Sequence, residues 1–223
     1  DEGELFAQQL LGQELSAEQQ QAIQLQNDQI QILVDGQWIA AEATAQTITG
    51  TALADTLIGG FGDDTIDGLG GNDVIDGQAG SDLSRGGDGN DTIEGNFGND
   101  RLYGDAGDDT ISDDQGSNIL DGGSGNDNLT SRSLSGDHSL IGGSGNDQLN
   151  ATGLVLDLDG GTGNDQLSIS GNLEVGGSRQ YVQGGQATLK GGSGEDNLQA
   201  YDYSTAELRG GADNDSLNTS GVK

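Results

Sequence analysis

The side chains of this chain that can do chemistry are carboxylates, and they recur at a fixed spacing. Counting in nine-residue blocks from Gly50, the sixth place holds Asp55, Asp64, Asp73, Asp82, Asp91, Asp100 and Asp109, then Asn118, then Asp127. Carboxylates act as general acids and bases when their surroundings split their pKa values, and the neighbours Asp63/Asp64 and Asp108/Asp109 would suit that work. The usual catalytic partners are missing. His138 is the single histidine and cysteine is absent, so neither an HExxH zinc site nor a Ser-His-Asp triad of the usual kind can be assembled. His138 reads as a surface residue, and Tyr181, Tyr201 and Tyr203 as solvent-facing aromatics. The chain is not expected to be an enzyme.

The elements that must position these carboxylates follow from the rest of each block. Blocks begin at Gly50, Gly59, Gly68, Gly77, Gly86, Gly95, Gly104, Asp113 and Gly122, and their eighth places read Leu57, Ile66, Ile75, Ser84, Ile93, Leu102, Ile111, Leu120 and Leu129. Only Asn118 and Ser84 depart from the rule of an aspartate followed two residues later by an apolar side chain. Glycine supplies the positive φ and close backbone approach of tight turns. Triplets such as Thr65-Ile66-Asp67 and Thr92-Ile93-Glu94 alternate polar, apolar, polar, which marks a strand with one buried face. Strands this short are stable only when stacked. Two blocks then complete one coil of two facing parallel strands with a turn on each side.

The blocks Gly86-Gly87-Asp88-Gly89-Asn90-Asp91-Thr92-Ile93-Glu94 and Gly122-Gly123-Ser124-Gly125-Asn126-Asp127-Asn128-Leu129-Thr130 resemble the RTX, or haemolysin-type, calcium-binding nonapeptide. The resemblance covers roughly residues 50–218. It implies an all-β solenoid, a right-handed parallel β-roll of about nine coils, with Ca²⁺ between successive turns on the same side. The implied ligands are the sixth-place carboxylates and backbone carbonyls of the turns at Gly59, Gly68, Gly86, Gly104, Gly122, Gly142, Gly160 and Gly191. Such turns offer only oxygen, which suits a hard cation that takes six to eight oxygen ligands. On this reading the fifth-place residues of the carboxylate pairs face solvent.

Beyond Thr130 the nine-residue register lapses and a coil-length one persists. Turns recur at Gly142, Gly160, Gly191 and Gly210, with Asp147, Asp165, Asp196 and Asp215 at the sixth place. An insertion of roughly a dozen residues is expected within Gly176–Gln186, because one spacing exceeds a coil. Traced back by coils, these turns share a side with Gly122, Gly104, Gly86, Gly68 and Gly50. The other side carries Asp64, Asp82, Asp100 and the weaker Asn118, then loses the motif at Ser131–His138, Ala151–Leu156, Ile169–Gly185 and Ala200–Ala206. Strands persist there, since Leu140, Leu158, Leu189 and Leu208 still precede each GlyGly. The expectation is one calcium staircase along the whole length and a second that stops midway, with roughly ten Ca²⁺ ions in all. The degenerate side is either a deliberate second face or drift.

Residues 1–49 have no lysine, arginine or nonapeptide. Leu5-Phe6 and Leu10-Leu11 before Gly12 predict one helix, and Ser16 with Gln19 predicts a capped second helix through about Gln26. Ile30–Val34 and Gln37–Ala41 around Asp35-Gly36 predict a hairpin. This segment reads as a cap on the first coil, as a docking element presenting Trp38, or as a linker fragment; residues 50–223 form the roll.

The 223 residues include 42 Gly, 38 Asp plus Glu and 7 Lys plus Arg, for a formal net charge of −31 with 30% hydrophobic residues. Such a balance argues against nucleic acid or an anionic membrane as partner and, without metal, for disorder. Roughly ten Ca²⁺ would bring about twenty positive charges. No segment has the length of a membrane-spanning helix, and no signal peptide is present. The chain begins at Asp1 and ends at Gly221-Val222-Lys223 without a capping pattern, so it reads as a mature or excised form whose open last coil invites head-to-tail contact with other copies. The expected function is that of a secreted calcium-binding β-roll at the cell surface or outside the cell. It folds on binding Ca²⁺ and self-assembles as a surface-layer, sheath or filament subunit. The alternatives are a calcium-dependent secretion or folding module of a larger exoprotein, or an adhesin contacting glycan or another cell.

Overall fold

The computed structural model describes residues 23–26, 29–34, 37–40, 44–133, 136–175, 178–181 and 185–221. The chain divides into two compact units, Asp1–Thr44 and Ala45–Lys223. In the first, β1 (Ile23–Gln26), β2 (Gln29–Val34) and β3 (Gln37–Ala40) form an antiparallel meander. The register Val34↔Gln37 leaves two residues between β2 and β3, the hairpin that Asp35-Gly36 predicts. The second expected helix does not extend to Gln26: Ile23-Gln24-Leu25-Gln26 alternates with period two and pairs with β2 as a strand. The helix expected before Gly12 and the start of the second lie outside the described residues. No helix occurs among the described residues.

The second unit is a parallel β-solenoid. One nine-stranded sheet contains β4 (Thr47–Thr49), β6 (Thr65–Asp67), β8 (Leu83–Asp88), β10 (Arg101–Ala106), β12 (Ile119–Ser124), β14 (Asp137–Ser144), β16 (Val155–Thr162), β20 (Gln186–Ser193) and β22 (Thr205–Ala212). The facing nine-stranded sheet contains β5 (Thr56–Phe61), β7 (Val74–Ala79), β9 (Thr92–Glu94), β11 (Thr110–Asp113), β13 (Asn128–Arg132), β15 (Gln148–Thr152), β17 (Gln166–Ser170), β21 (Asn197–Tyr201) and β23 (Ser216–Ser220). Successive coils stack with like residues in register, as Ile93↔Ile111 and Ile111↔Leu129 show. The roll starts before the first glycine block, because β4 already pairs with β6 through Ile48↔Ile66.

The expected insertion is an antiparallel hairpin of β18 (Asn172–Val175) and β19 (Ser178–Tyr181), set between β17 and β20. It begins before Gly176, earlier than the sequence spacing suggests. The coil spacing resumes because the residues on either side are held by ladder bonds, such as Gly171 N–H to Tyr201 O at 2.7 Å.

Period-two alternation turns apolar residues inward, one per strand in the first half of the roll and two in β15, β16, β17, β20 and β21. Ile66, Leu102, Leu120, Leu140, Leu158 and Leu189 from one sheet meet Ile75, Ile93, Ile111, Leu129, Leu149, Leu167 and Leu198 from the other, all essentially inaccessible. Burying each such side chain contributes about 1.5–3 kcal/mol. Ser84 occupies the core row between Ile66 and Leu102, fully buried, and its hydroxyl has no hydrogen-bond partner. An unsatisfied buried hydroxyl costs about 1–3 kcal/mol. In calcium-saturated protein, chemical denaturation should therefore show Ser84→Ala neutral to stabilising by up to about 1 kcal/mol, and Leu102→Ala destabilising by about 2–5 kcal/mol. Equal losses from the two changes would contradict this packing.

Candidate metal centre

Each turn is built around one aspartate standing just before a strand. On one side Asp55, Asp73, Asp91, Asp109, Asp127, Asp147, Asp165, Asp196 and Asp215 stack in a column that runs the length of the roll. In every step Oδ1 accepts the backbone N–H of the aspartate one coil earlier: Asp73 from Asp55, Asp91 from Asp73 and Asp109 from Asp91 at 2.7 Å, and Asp127 from Asp109 at 2.8 Å. The series continues through Asp147, Asp165 and Asp196 to Asp215, at 2.8–3.1 Å. On the other side the same bond joins Gln46 to Asp64, Asp64 to Asp82, Asp82 to Asp100 and Asp100 to Asn118, and stops there.

That bond orients the second oxygen. Oδ2 of Asp64, Asp73, Asp82, Asp91, Asp100, Asp109, Asp127, Asp147, Asp165 and Asp196 is buried and has no hydrogen-bond partner. Each points at the first glycine of its own block, where a side chain would otherwise stand. A Cβ on Gly59 would lie 2.6 Å from Asp64 Oδ2 and 2.7 Å from the Gly77 carbonyl one coil on. Gly50, Gly68, Gly86, Gly104, Gly142, Gly160 and Gly191 repeat the arrangement with Asp55, Asp73, Asp91, Asp109, Asp147, Asp165 and Asp196, facing the carbonyls of Gly68, Gly86, Gly104, Gly122, Gly160, Gly191 and Gly210. Gly122 and Gly210 face Asp127 and Asp215. The missing Cβ is what leaves space for a ligand. The fourth-place glycines close the turn for a different reason: Gly89 has φ of 140°, and a Cβ there would collide with the Gly71 carbonyl of the neighbouring coil.

The fifth place has a role that sequence reasoning missed. Those residues are exposed, as expected, but their side chains form a second ladder. Asn126 donates its backbone N–H to Asp108 Oδ1 at 2.7 Å, and Asn146 and Asn164 donate theirs to Asn126 and Asn146 at 2.9 Å. The run of Asn and Asp at this place was the available signal.

Buried carboxylates without a cationic partner favour uptake of a cation or a proton. Burial, reinforced by nearby carboxylates, pushes Asp82 and Asp109 up to about 7, and Asp127, Asp147 and Asp165 up to about 6. Ion pairs among the described residues join Arg85 to Asp105, Lys190 to Asp157 and Asp159, and Arg209 to Glu207. None of them involves a column aspartate. A buried, ionised, unpaired oxygen costs several kcal/mol unless a counter-charge meets it. No three His, Asp or Glu side chains converge on one point among the described residues, so a bound ion would draw its remaining ligands from turn carbonyls. Carboxylate plus carbonyl oxygen is the donor set of calcium.

Beyond Asn118 the short column changes chemistry rather than decaying. Asn118 Oδ1 accepts from Asp100, while its Nδ2 donates to the Gln115 carbonyl at 2.9 Å. It thus turns a donor, not an oxygen, toward its own turn, which is no place for a cation. The register carries Asn118 onto His138, then Leu156, Ala187 and Ala206. The facing row runs Asp113, Ser131, Ala151, Ile169, Ala200 and Thr219. Ala151, Leu156, Ile169, Ala187 and Ala200 join the core. The alternation of Leu149 with Ala151 and of Leu156 with Leu158 was a readable signal for this seam.

Two expectations are corrected here. His138 is not a surface residue: it is buried, with Nδ1 3.0 Å from Ser131 Oγ, and desolvation lowers its pKa. Tyr203 is not solvent-facing either. It is buried across the seam, where its hydroxyl donates to the Gly153 carbonyl at 2.9 Å and accepts the Gly153 N–H at 3.1 Å. The apolar seam needs both side chains as filling once the metal turn is gone. Tyr201 is partly buried and donates to Gln199 Oε1 at 2.7 Å; the Tyr181 side chain lies outside the described residues.

A solenoid whose coils are joined by buried carboxylates and turn carbonyls is a calcium-binding β-roll in class. Residues 49–83, 85–112, 103–133 and 134–153 each match the family model for the RTX calcium-binding nonapeptide repeat. Residues 49–153 thus carry RTX calcium-binding nonapeptide repeats. No curated protein matches the chain.

Two measurements test the site. Gly104→Ala would put a methyl group against Asp109 Oδ2 and 2.6 Å from the Gly122 carbonyl. Calorimetric titration should then show one fewer calcium ion bound, and an unchanged stoichiometry would contradict the cradle. The pH dependence has a definite sign. Raised carboxyl pKa values favour the metal-free roll at low pH, and that contribution disappears as pH rises through about 6 to 7. Metal-free protein should therefore gain β-structure by circular dichroism on acidification from about pH 8 to about pH 5. Calcium-loaded protein should lose stability over the same range as protons compete for the ligands.

Proposed function

We propose that the protein is a calcium-gated extracellular structural unit, a chain that at neutral pH and above acquires its β-roll only when Ca²⁺ bridges its coils. The observation that carries this reading is the row of buried, partnerless Oδ2 atoms, which no side chain among the described residues neutralises. Without metal, stacked carboxylates repel one another across neighbouring coils. With it, binding free energy becomes folding free energy. Calcium sites in extracellular modules work at roughly 0.1–1 mM, so such a chain stays open in calcium-poor cytosol and closes outside the cell. The absence of a helix long and apolar enough to cross a membrane among the described residues is compatible with this route.

Self-assembly is the second part of the proposal. The strands β22 and β23 stand at the ends of their sheets, and Leu217 is 48% exposed beside them. Unpaired strand edges with adjoining apolar surface accept another strand. Either the first coil of another copy or a following coil of a longer chain would satisfy them. The first makes the protein a filament or surface-layer subunit, and the second makes it a folding module of a larger exoprotein.

Circular dichroism of the chain should change from disordered in EGTA to β-rich at millimolar Ca²⁺, and a spectrum equally β-rich in both would refute calcium gating. Light scattering and electron microscopy after calcium addition then separate the two roles. Ordered polymers support the subunit, whereas monodisperse monomers support the module.

A further inference from the structure

One cradle differs from the rest. On the short column the turns at Gly59 and Gly77 face the carbonyls of Gly77 and Gly95, but the turn at Gly95 faces a side chain. Asp113, the only non-glycine first residue among the nine-residue blocks, stands one coil on from Gly95. Its Oδ1 is fixed by the Gln115 N–H at 3.0 Å. Its Oδ2 enters the space beside Gly95 where a Cβ would be, and Asp100 Oδ2 reaches the same space, 2.7 Å from that Cβ position. Asp100 and Asp113 are 1% and 2% exposed; no donor among the described residues reaches either Oδ2, and the two carboxyls lie within hydrogen-bonding reach of each other. The other oxygen of Asp100 is already committed to the Asp82 N–H at 2.7 Å. Two fixed, buried carboxylate oxygens thus converge on one small space, with no cationic side chain hydrogen-bonded to either.

We propose that Asp113 is a side-chain ligand, and that the last cradle of the short column is a two-carboxylate calcium site that binds its ion more tightly than the one-carboxylate cradles at Gly59 and Gly77. The inference rests on the calcium reading of the columns. Ligand charge count is what tunes calcium affinity among otherwise similar oxygen sites, and a water-poor interior strengthens each attraction. The position explains the extra ligand. Immediately beyond this cradle Asn118 turns a donor inward, and the coil after it replaces metal with Ser131, His138 and hydrocarbon. The site therefore closes the metal-bridged half of this side at its junction with the apolar half, where no further ion shares the charge of Asp100.

The rival occupant is a single proton shared by the two carboxyls. Asp113→Asn separates the two, because its amide can donate to Asp100 as a protonated acid would, but supplies less charge to a metal. Binding isotherms of the full chain, with Ca²⁺ as the only probe in chelator-buffered solution and ions counted by native mass spectrometry, provide the readout. Asp113→Asn should fold at saturating calcium and shift one ion to at least about tenfold weaker binding. Asp113→Gly, which restores the residue of the other turns, should shift the same ion in the same direction and serves if the asparagine variant does not fold. Asp91→Asn, in the long column, is the reference for weakening an ordinary cradle. If Asp113→Asn gives the wild-type isotherm while Asp91→Asn does not, the pair holds a proton and the inference is overturned with the calcium reading intact. A wild-type chain that binds no calcium overturns both.

Discussion

The structure turns on how each column aspartate divides its two oxygens. Oδ1 is spent on the backbone N–H of the preceding coil, as from Asp91 to Asp73 at 2.7 Å. This bond fixes the carboxylate plane and leaves Oδ2 pointing into a space that only glycine keeps open. The hydrogen bond and the metal ligand are therefore one side chain seen from two sides. A coil that lost the backbone bond would also mis-aim its carboxylate, and a coil that lost its cation would leave a buried charge uncompensated. That coupling explains why glycine and aspartate recur together at fixed separation, although the strands tolerate Thr, Asn, Gln or Val at their outward places.

Two ways of joining coils coexist on the second side. From Asp64 to Asp100 the turns carry the buried, unpartnered Oδ2 atoms of the proposed metal cradles. From Ala151 onward the same positions are filled by Leu156, Ile169, Ala187 and Ala200, with the Tyr203 hydroxyl satisfying both backbone groups of Gly153. Hydrocarbon contact needs no ion and is insensitive to calcium, whereas the metal turns depend on it. The long column runs past both regions, so on the proposed calcium reading the later coils combine one calcium-dependent edge with one independent edge. Ser131 and His138 stand at the crossover, linked by a buried hydrogen bond that spans the turn where the ion would otherwise sit.

The acidity of the chain takes on a physical meaning in this arrangement. Its basic side chains lie largely on the outer face, where Arg85 stacks 4.4 Å over the Tyr103 ring and pairs with Asp105, and Lys190 bridges Asp157 and Asp159. Exposed pairs of this kind contribute little to stability. The columns are left to an external cation, so the net charge of −31 describes a fold whose counter-ions are not encoded in the chain. Reduced hydrophobic content goes with this arrangement, because the coils of the first half bury only one apolar side chain per strand.

The nine-residue period was enough to determine the coil, the two sheets, the inward column from Ile66 to Leu198, and the side on which each aspartate lies. All of these depend on local spacing, and in a parallel solenoid local spacing becomes register directly. The hairpin of β2 and β3 was equally legible from Asp35-Gly36, while β1 was obscured because the period-two pattern of Ile23–Gln26 is short. What only the tertiary structure decided were relations across coils. The aim of each aspartate, the fifth-place ladder and the burial of Tyr203 involve residues eighteen to fifty apart, and His138 is buried against Ser131 across a turn. Asp113 looked like an ordinary lapse from glycine in the linear pattern. Its side chain acquires a role only because the next coil sets it against Asp100, and no spacing within one block records what the neighbouring coil leaves open.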